Sequence, residues 1–99
     1  MKIFTLGIAV LALGFVNIAV AGDAAAGKEK SAACVACHGA DGIAIQPIYP
    51  NLKGQQEQYL ALSIKAYRDG TRSDDMMKMF AVNLTDTDIE NLAAYFSSL

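Results

Sequence analysis

Tryptophan is absent from this chain, and cysteine and histidine are nearly so: it has two cysteines, Cys34 and Cys37, and one histidine, His38. Those residues are too few for a structural zinc site, which needs four ligands, usually cysteine and histidine. Positive charge is scarce as well. Eight basic side chains stand against ten acidic ones, giving a formal charge of −2 over 99 residues. That balance argues against nucleic acid and against an anionic membrane surface, and favours a partner with a basic docking patch. Period-two alternation is missing over any useful length, so strands are not expected and the chain reads as all-α. Both prolines, Pro47 and Pro50, fall in one short stretch.

Charge is missing altogether from Ile3 to Ala21, where Thr5 and Asn17 are the only clearly polar residues. The run follows a basic start at Lys2 and ends in Ala19-Val20-Ala21, small residues at the positions a signal peptidase reads. Residues 1–21 are therefore expected to be a secretory leader, cleaved after Ala21. The competing reading is an uncleaved anchor, because the run is long enough to cross a bilayer. The A-x-A end and the glycines Gly7 and Gly14 stand against it. The expected mature protein is a single small domain over residues 22–99, exported and with no stable membrane insertion. A domain of this size rarely stabilises itself without a metal, a disulfide or another crosslink, and export would otherwise favour a disulfide between paired cysteines.

Asp23 is a good N-cap for a helix through the alanine-rich segment after it and on into the cysteines. Gly27 inside that helix costs about 1 kcal/mol relative to alanine, which invites a packing reason. From Gly39 to Gln55 the periodicity vanishes. Gly39, Gly42, Pro47, Pro50, Asn51 and Gly54 mark a loop that nonetheless keeps Ile43, Ile45, Ile48, Tyr49 and Leu52, so it is expected to wrap something apolar. Gln55 to Asp69 reads as a helix ended by Gly70, with Tyr59, Leu60, Leu62, Ile64 and Tyr67 on its apolar face. Thr71 to Leu84 looks irregular, and Asp74-Asp75 within it looks like a solvated turn. Thr85 then opens a last helix, with Asp88 in a capping-box place, and Ile89, Leu92, Phe96 and Leu99 form one stripe.

The stretch Cys34-Val35-Ala36-Cys37-His38 is the attachment pattern of a c-type haem. Cysteines at i and i+3 share a helix face, and His38, at i+4 from Cys34, falls on it too. Both sulfurs can then form thioethers with one porphyrin edge while the imidazole reaches the iron. A thioredoxin-like pair shares the spacing but needs a βαβ context that is missing. A plain disulfide would leave His38 unexplained. One covalently bound haem c accounts for all three residues together.

With these residues in place, the chain resembles a small class I c-type cytochrome, similar to the bacterial cytochrome c553 type and to one haem domain of the dihaem cytochrome c4. The resemblance runs through Cys34 to Gly42, Pro47 to Gln55, Tyr67 to Arg72, a Met-bearing loop, and Leu84 to Phe96, essentially all of residues 22–99. It implies the cytochrome c fold, with N- and C-terminal helices packed together around the haem and Gly27 set against the Tyr95-Phe96 region. It implies a methionine as the second axial ligand beside His38. Met76, Met77 and Met79 compete, and counting back from Thr85 as family members do selects Met77. It also implies that the Pro47 carbonyl accepts from His38, and that Tyr49, Leu52, Tyr59 and Tyr67, with Pro47, Leu60 and Ile64, line the pocket. A thioether raises the reduction potential and fills the sixth position, which suits one-electron transfer rather than catalysis. The expected role is thus a periplasmic carrier between redox protein partners, not an enzyme. A haem subunit bound to a periplasmic dehydrogenase and a haem-based ligand sensor are the alternatives.

Overall fold

The first helix begins where a carboxylate can satisfy its loose amides. In the computed structural model, which describes residue 7 and residues 22–99, the Asp23 side chain accepts from the N–H groups of Ala25 at 2.9 Å and Ala26 at 3.2 Å. Helix α1 (Ala24–Lys30) follows. The expected leader, residues 1–21, lies outside the described residues apart from Gly7. The helix does not run unbroken into the cysteines. It stops at Ser31, whose hydroxyl donates to the Lys28 carbonyl at 2.7 Å, and resumes as α2 (Ala32–His38). A serine that bonds its own preceding turn offers the backbone an alternative to the helical ladder. Gly39, at φ 85°, then turns the chain out of α2.

The irregular segment after it is stitched together rather than slack. The amides of Leu52 and Lys53 both donate to the Gly42 carbonyl, at 2.8 and 3.0 Å, and the Ala44 amide donates to Asn51 Oδ1 at 2.7 Å. Next comes α3 (Glu57–Asp69), closed by Gly70 in the left-handed region at φ 84°. The stretch expected to be irregular contains a further helix, α4 (Asp75–Ala81), with Asp74 as its N-cap. Last is α5 (Asp86–Ser97). Its capping box is formed as expected: Asp88 N–H donates to Thr85 Oγ1 at 3.1 Å, and Thr85 N–H to Asp88 Oδ2 at 3.0 Å. No strand occurs among the described residues.

Helix α5 is the hub. Ile89 is fully buried on it; Leu92, Ala93, Tyr95 and Phe96 cluster with Leu60 of α3, and Cys34, Leu52, Ile64, Leu84 and Leu99 pack around that cluster. Burying a side chain of that size contributes about 1.5–3 kcal/mol. Helix α1 crosses the other side of α5 at Gly27, where a β-carbon would run into the Asn91 carbonyl. Asp23 N–H donates to Asn91 Oδ1 at 2.8 Å, and Lys30 lies 3.6 Å from Asp88 along the same contact. The expected packing of N- and C-terminal helices is therefore present, and Gly27 permits the close approach, as does Gly22, where a β-carbon would run into the Glu90 carbonyl. Tyr95 of α5 also donates its hydroxyl to the Ala40 carbonyl at 3.0 Å, tying the hub to the turn just beyond His38.

Candidate functional site

Because α2 is helical through the motif, Cys34, Cys37 and His38 share one side of it, and that side faces a cavity of about 500 Å³. The opposite walls come from the 48–52 segment, α3, α4 and α5. A pocket of this volume lies within the range of cofactor sites. Tyr49, Leu52, Tyr59, Leu60, Ile64 and Tyr67 line it. Pro47 does not; it sits on a separate open groove with Ile43 and Ile45.

His38 is buried at 7% exposure, and its Nδ1 lies 2.9 Å from the Pro50 carbonyl oxygen. A carbonyl only accepts, so Nδ1 carries a proton, and in the neutral imidazole Nε2 keeps its lone pair. Fixing the tautomer through the other ring nitrogen is how metal-binding histidines are commonly oriented. The acceptor expected from the resemblance was Pro47; the structure puts Pro50 there. The chain folds back between the two prolines, with Tyr49 N–H donating to the Gln46 carbonyl at 3.2 Å, and this brings the second proline rather than the first over the imidazole. The Tyr49 ring stands beside His38, with centroids 6.4 Å apart and the planes tilted by 57°.

The Cys34 thiol is perturbed in the direction opposite to that of a dithiol redox centre. Burial pushes the Cys34 thiol above its ordinary pKa, and the charge of Cys37 adds to the effect. A redox-active C-x-x-C pair needs a depressed pKa instead. Hydrogen bonding to Cys37 is likewise the main reason the Tyr49 hydroxyl is pushed up. The two cysteines are not joined to each other.

Of the three competing methionines, Met76 and Met77 line the cavity and Met79 does not; Met79 is 63% exposed. Met77 is half-buried, whereas Met76 is 49% exposed. Sequence reasoning missed several residues of the cavity wall, among them Asp74, Arg72 and Phe80. Asp74, read as a solvated turn, caps α4 and accepts from the Met77 N–H at 2.9 Å; the signal was an aspartate in N-cap position before a methionine run. Arg72 lines the cavity with its guanidinium 4.7 Å above the Tyr67 ring. Phe80, on α4, adds an aromatic wall.

Both cysteines, His38 and the methionines Met76 and Met77 thus line one largely apolar chamber. Thiols suit covalent bonds to a ligand edge, and imidazole with thioether suits iron. The residues fit a covalently held haem.

Comparison with known proteins points the same way. The cytochrome c family model matches residues 24–99. Cytochrome c-554(548) of Halomonas halodenitrificans is 57% identical over 81 residues, covering 79% of this chain and 98% of that protein. Cytochrome c4 of Pseudomonas aeruginosa is 47% identical over 89 residues, covering 89% of this chain and 44% of that protein. Among solved structures, reduced recombinant cytochrome c4 from Pseudomonas stutzeri superposes with a TM-score of 0.75 at 41% identity, over 79% of this chain and 46% of that one. The chain spans about half the length of the cytochrome c4 relatives it matches, and nearly all of the Halomonas protein. With five helices among the described residues and the Cys34–His38 motif fitting a covalently bound haem c, the chain belongs to the cytochrome c family.

Proposed function

We propose that the chain is a periplasmic monohaem carrier, passing single electrons between redox protein partners, with His38 and Met77 as axial ligands. The observation that carries this reading is that His38 and Met77 line the same cavity as both cysteines. When bound, the haem supplies the one-electron couple of its iron. The protein's part is to hold and insulate it. Pro50 orients His38 so that Nε2 is the free nitrogen, and Leu60, Leu92 and Phe96 form a dry wall on the α3–α5 side. A thioether from Met77 favours ferrous iron and so raises the potential. Held by His38 and Met77, a haem iron would have no position left for substrate, which favours a carrier over a catalyst or a ligand sensor.

Ile45 and Ile48, 65% and 74% exposed, offer apolar contact beside the motif. That suits the small, transient interfaces of electron-transfer partners. Export rests on the leader-like residues 1–21, and recovery of the protein in the periplasmic fraction tests it. A relative from Thiomonas intermedia, 38% identical over 93 residues, is named a thiosulfate dehydrogenase electron acceptor. A dehydrogenase of that compartment is accordingly the class of donor proposed, either meeting a free carrier or holding it as a subunit. Isolation of the carrier as a free monomer supports the first form, and a tight complex supports the second.

The ligand assignment is tested by absorption spectra of the oxidised variants. Met77→Ala is expected to lose the far-red methionine–iron band, whereas Met79→Ala keeps it. Loss of the band in Met76→Ala with retention in Met77→Ala would overturn the assignment.

A further inference from the structure

Helix α4 carries Met77, yet it has little to hold it in place. It is seven residues long, and only Ala81 of it is buried. A helix of this length does not persist on its own hydrogen bonds, because the first turn costs more to form than it returns. Something at its N-terminal end must therefore define the turn from which Met77 projects.

Asp74 is placed to do this. It has an extended backbone, φ −161° and ψ 118°, and its carboxylate accepts from the N–H of Met77 at 2.9 Å. Its carbonyl accepts from Lys78 N–H, also at 2.9 Å. The amide it caps belongs to the ligand residue itself. Side chains on a helix lean back toward the N-terminus, over the preceding turn. The Met77 thioether is thus carried by the turn that Asp74 closes, and Asp74 lines the same cavity.

We propose that Asp74 is a positioning residue for Met77: its side-chain cap holds the first turn of α4 in the form that presents the thioether to the iron. The proposal rests on Met77 being the ligand. Without the cap the turn frays, and the sulfur leaves the iron more of the time. An N-cap replaced by alanine typically loses about 1 kcal/mol, which corresponds to about a fivefold larger detached fraction.

Carbon monoxide reads this fraction, since it binds ferrous iron only while the sulfur is away. In the haem-loaded, reduced protein, Asp74→Ala is expected to bind carbon monoxide about fivefold faster than the parent. Asp74→Asn keeps a capping oxygen of equal propensity and should stay within about twofold of the parent. Asp23→Ala removes the comparable cap of α1, remote from the cavity, and serves as the control for general destabilisation; its rate should match the parent. Met77→Ala should be fast. A parental rate in Asp74→Ala beside a fast Met77→Ala overturns the proposal alone, whereas a slow Met77→Ala overturns the ligand assignment beneath it. Equal acceleration in Asp74→Asn would show that charge, not capping, is at work, and equal acceleration in Asp23→Ala would show global loosening; either result overturns the proposal. If Asp74→Ala does not assemble, Asp74→Val suits the extended backbone there and caps as poorly as alanine; it is expected to show the same acceleration, and a parental rate overturns the proposal.

Discussion

Gly27→Ala sets local propensity against tertiary packing, because the two predict opposite signs. Alanine is the better helix former by about 1 kcal/mol, so an isolated α1 would gain from the change. In the folded protein the added β-carbon would overlap the Asn91 carbonyl and lie 2.9 Å from Tyr95 Cβ, against about 3.5–4.0 Å for an ordinary carbon contact. The obstruction is the backbone of α5, which cannot rotate aside, so α1 must move away. Overpacking of this kind costs about 1–3 kcal/mol. The shift also strains the hydrogen bond from Asp23 N–H to Asn91 Oδ1, now 2.8 Å, worth about 1 kcal/mol. Set against the propensity gain, the net loss is about 2 kcal/mol, a fall in Tm of roughly 8–16 °C for a domain this small. Thermal and denaturant unfolding of the haem-loaded protein, followed by far-UV circular dichroism, measures it. A stabilised variant, or one within about 0.5 kcal/mol of the parent, would refute the reasoning that Gly27 is required for the α1–α5 contact.

Other consequences are smaller and local. Thr85→Ala removes one half of the α5 capping box and should lower stability by about 1 kcal/mol with an unchanged denaturant slope. Tyr95→Phe loses the hydroxyl bond to Ala40 and should cost about 1 kcal/mol, measured by denaturant unfolding of the haem-loaded protein. The carboxyls of Asp86 and Asp88 are held below the ordinary range, the first chiefly by hydrogen bonding to Arg68 and the second by the Thr85 amide. A carboxyl with a lower pKa folded than unfolded stabilises above its unfolded value, about 3.9, and loses that contribution as pH falls through the folded value. Unfolding titrations should therefore show Asp86→Asn and Asp88→Asn less stable than the parent at neutral pH and converging with it in strong acid.

What could be read from the sequence was what depends on near neighbours in the chain. The haem motif, the Thr85–Asp88 box, the Gly70 stop and the α5 stripe are all short-range patterns, and each stands where it was expected. The break at Ser31 was missed because neither proline nor glycine marks it; a serine hydroxyl competing for the Lys28 carbonyl is a weak signal. Helix α4 was missed although Met77, Phe80, Ala81 and Leu84 stand at i, i+3, i+4 and i+7, an amphipathic period; the stretch is short, and its Asp74 cap looked like an exposed acidic turn. Pro50 replaced Pro47 over His38 for a different reason. Which carbonyl meets an imidazole depends on how the whole 43–52 segment folds back onto Gly42, and no local pattern encodes that.

The most direct test is an optical redox titration of the haem-loaded protein. A single one-electron transition is expected, in which the far-red methionine–iron band of the oxidised form disappears as the reduced haem spectrum grows. Two transitions, or an oxidised protein without the far-red band, would contradict a single iron centre held between His38 and Met77.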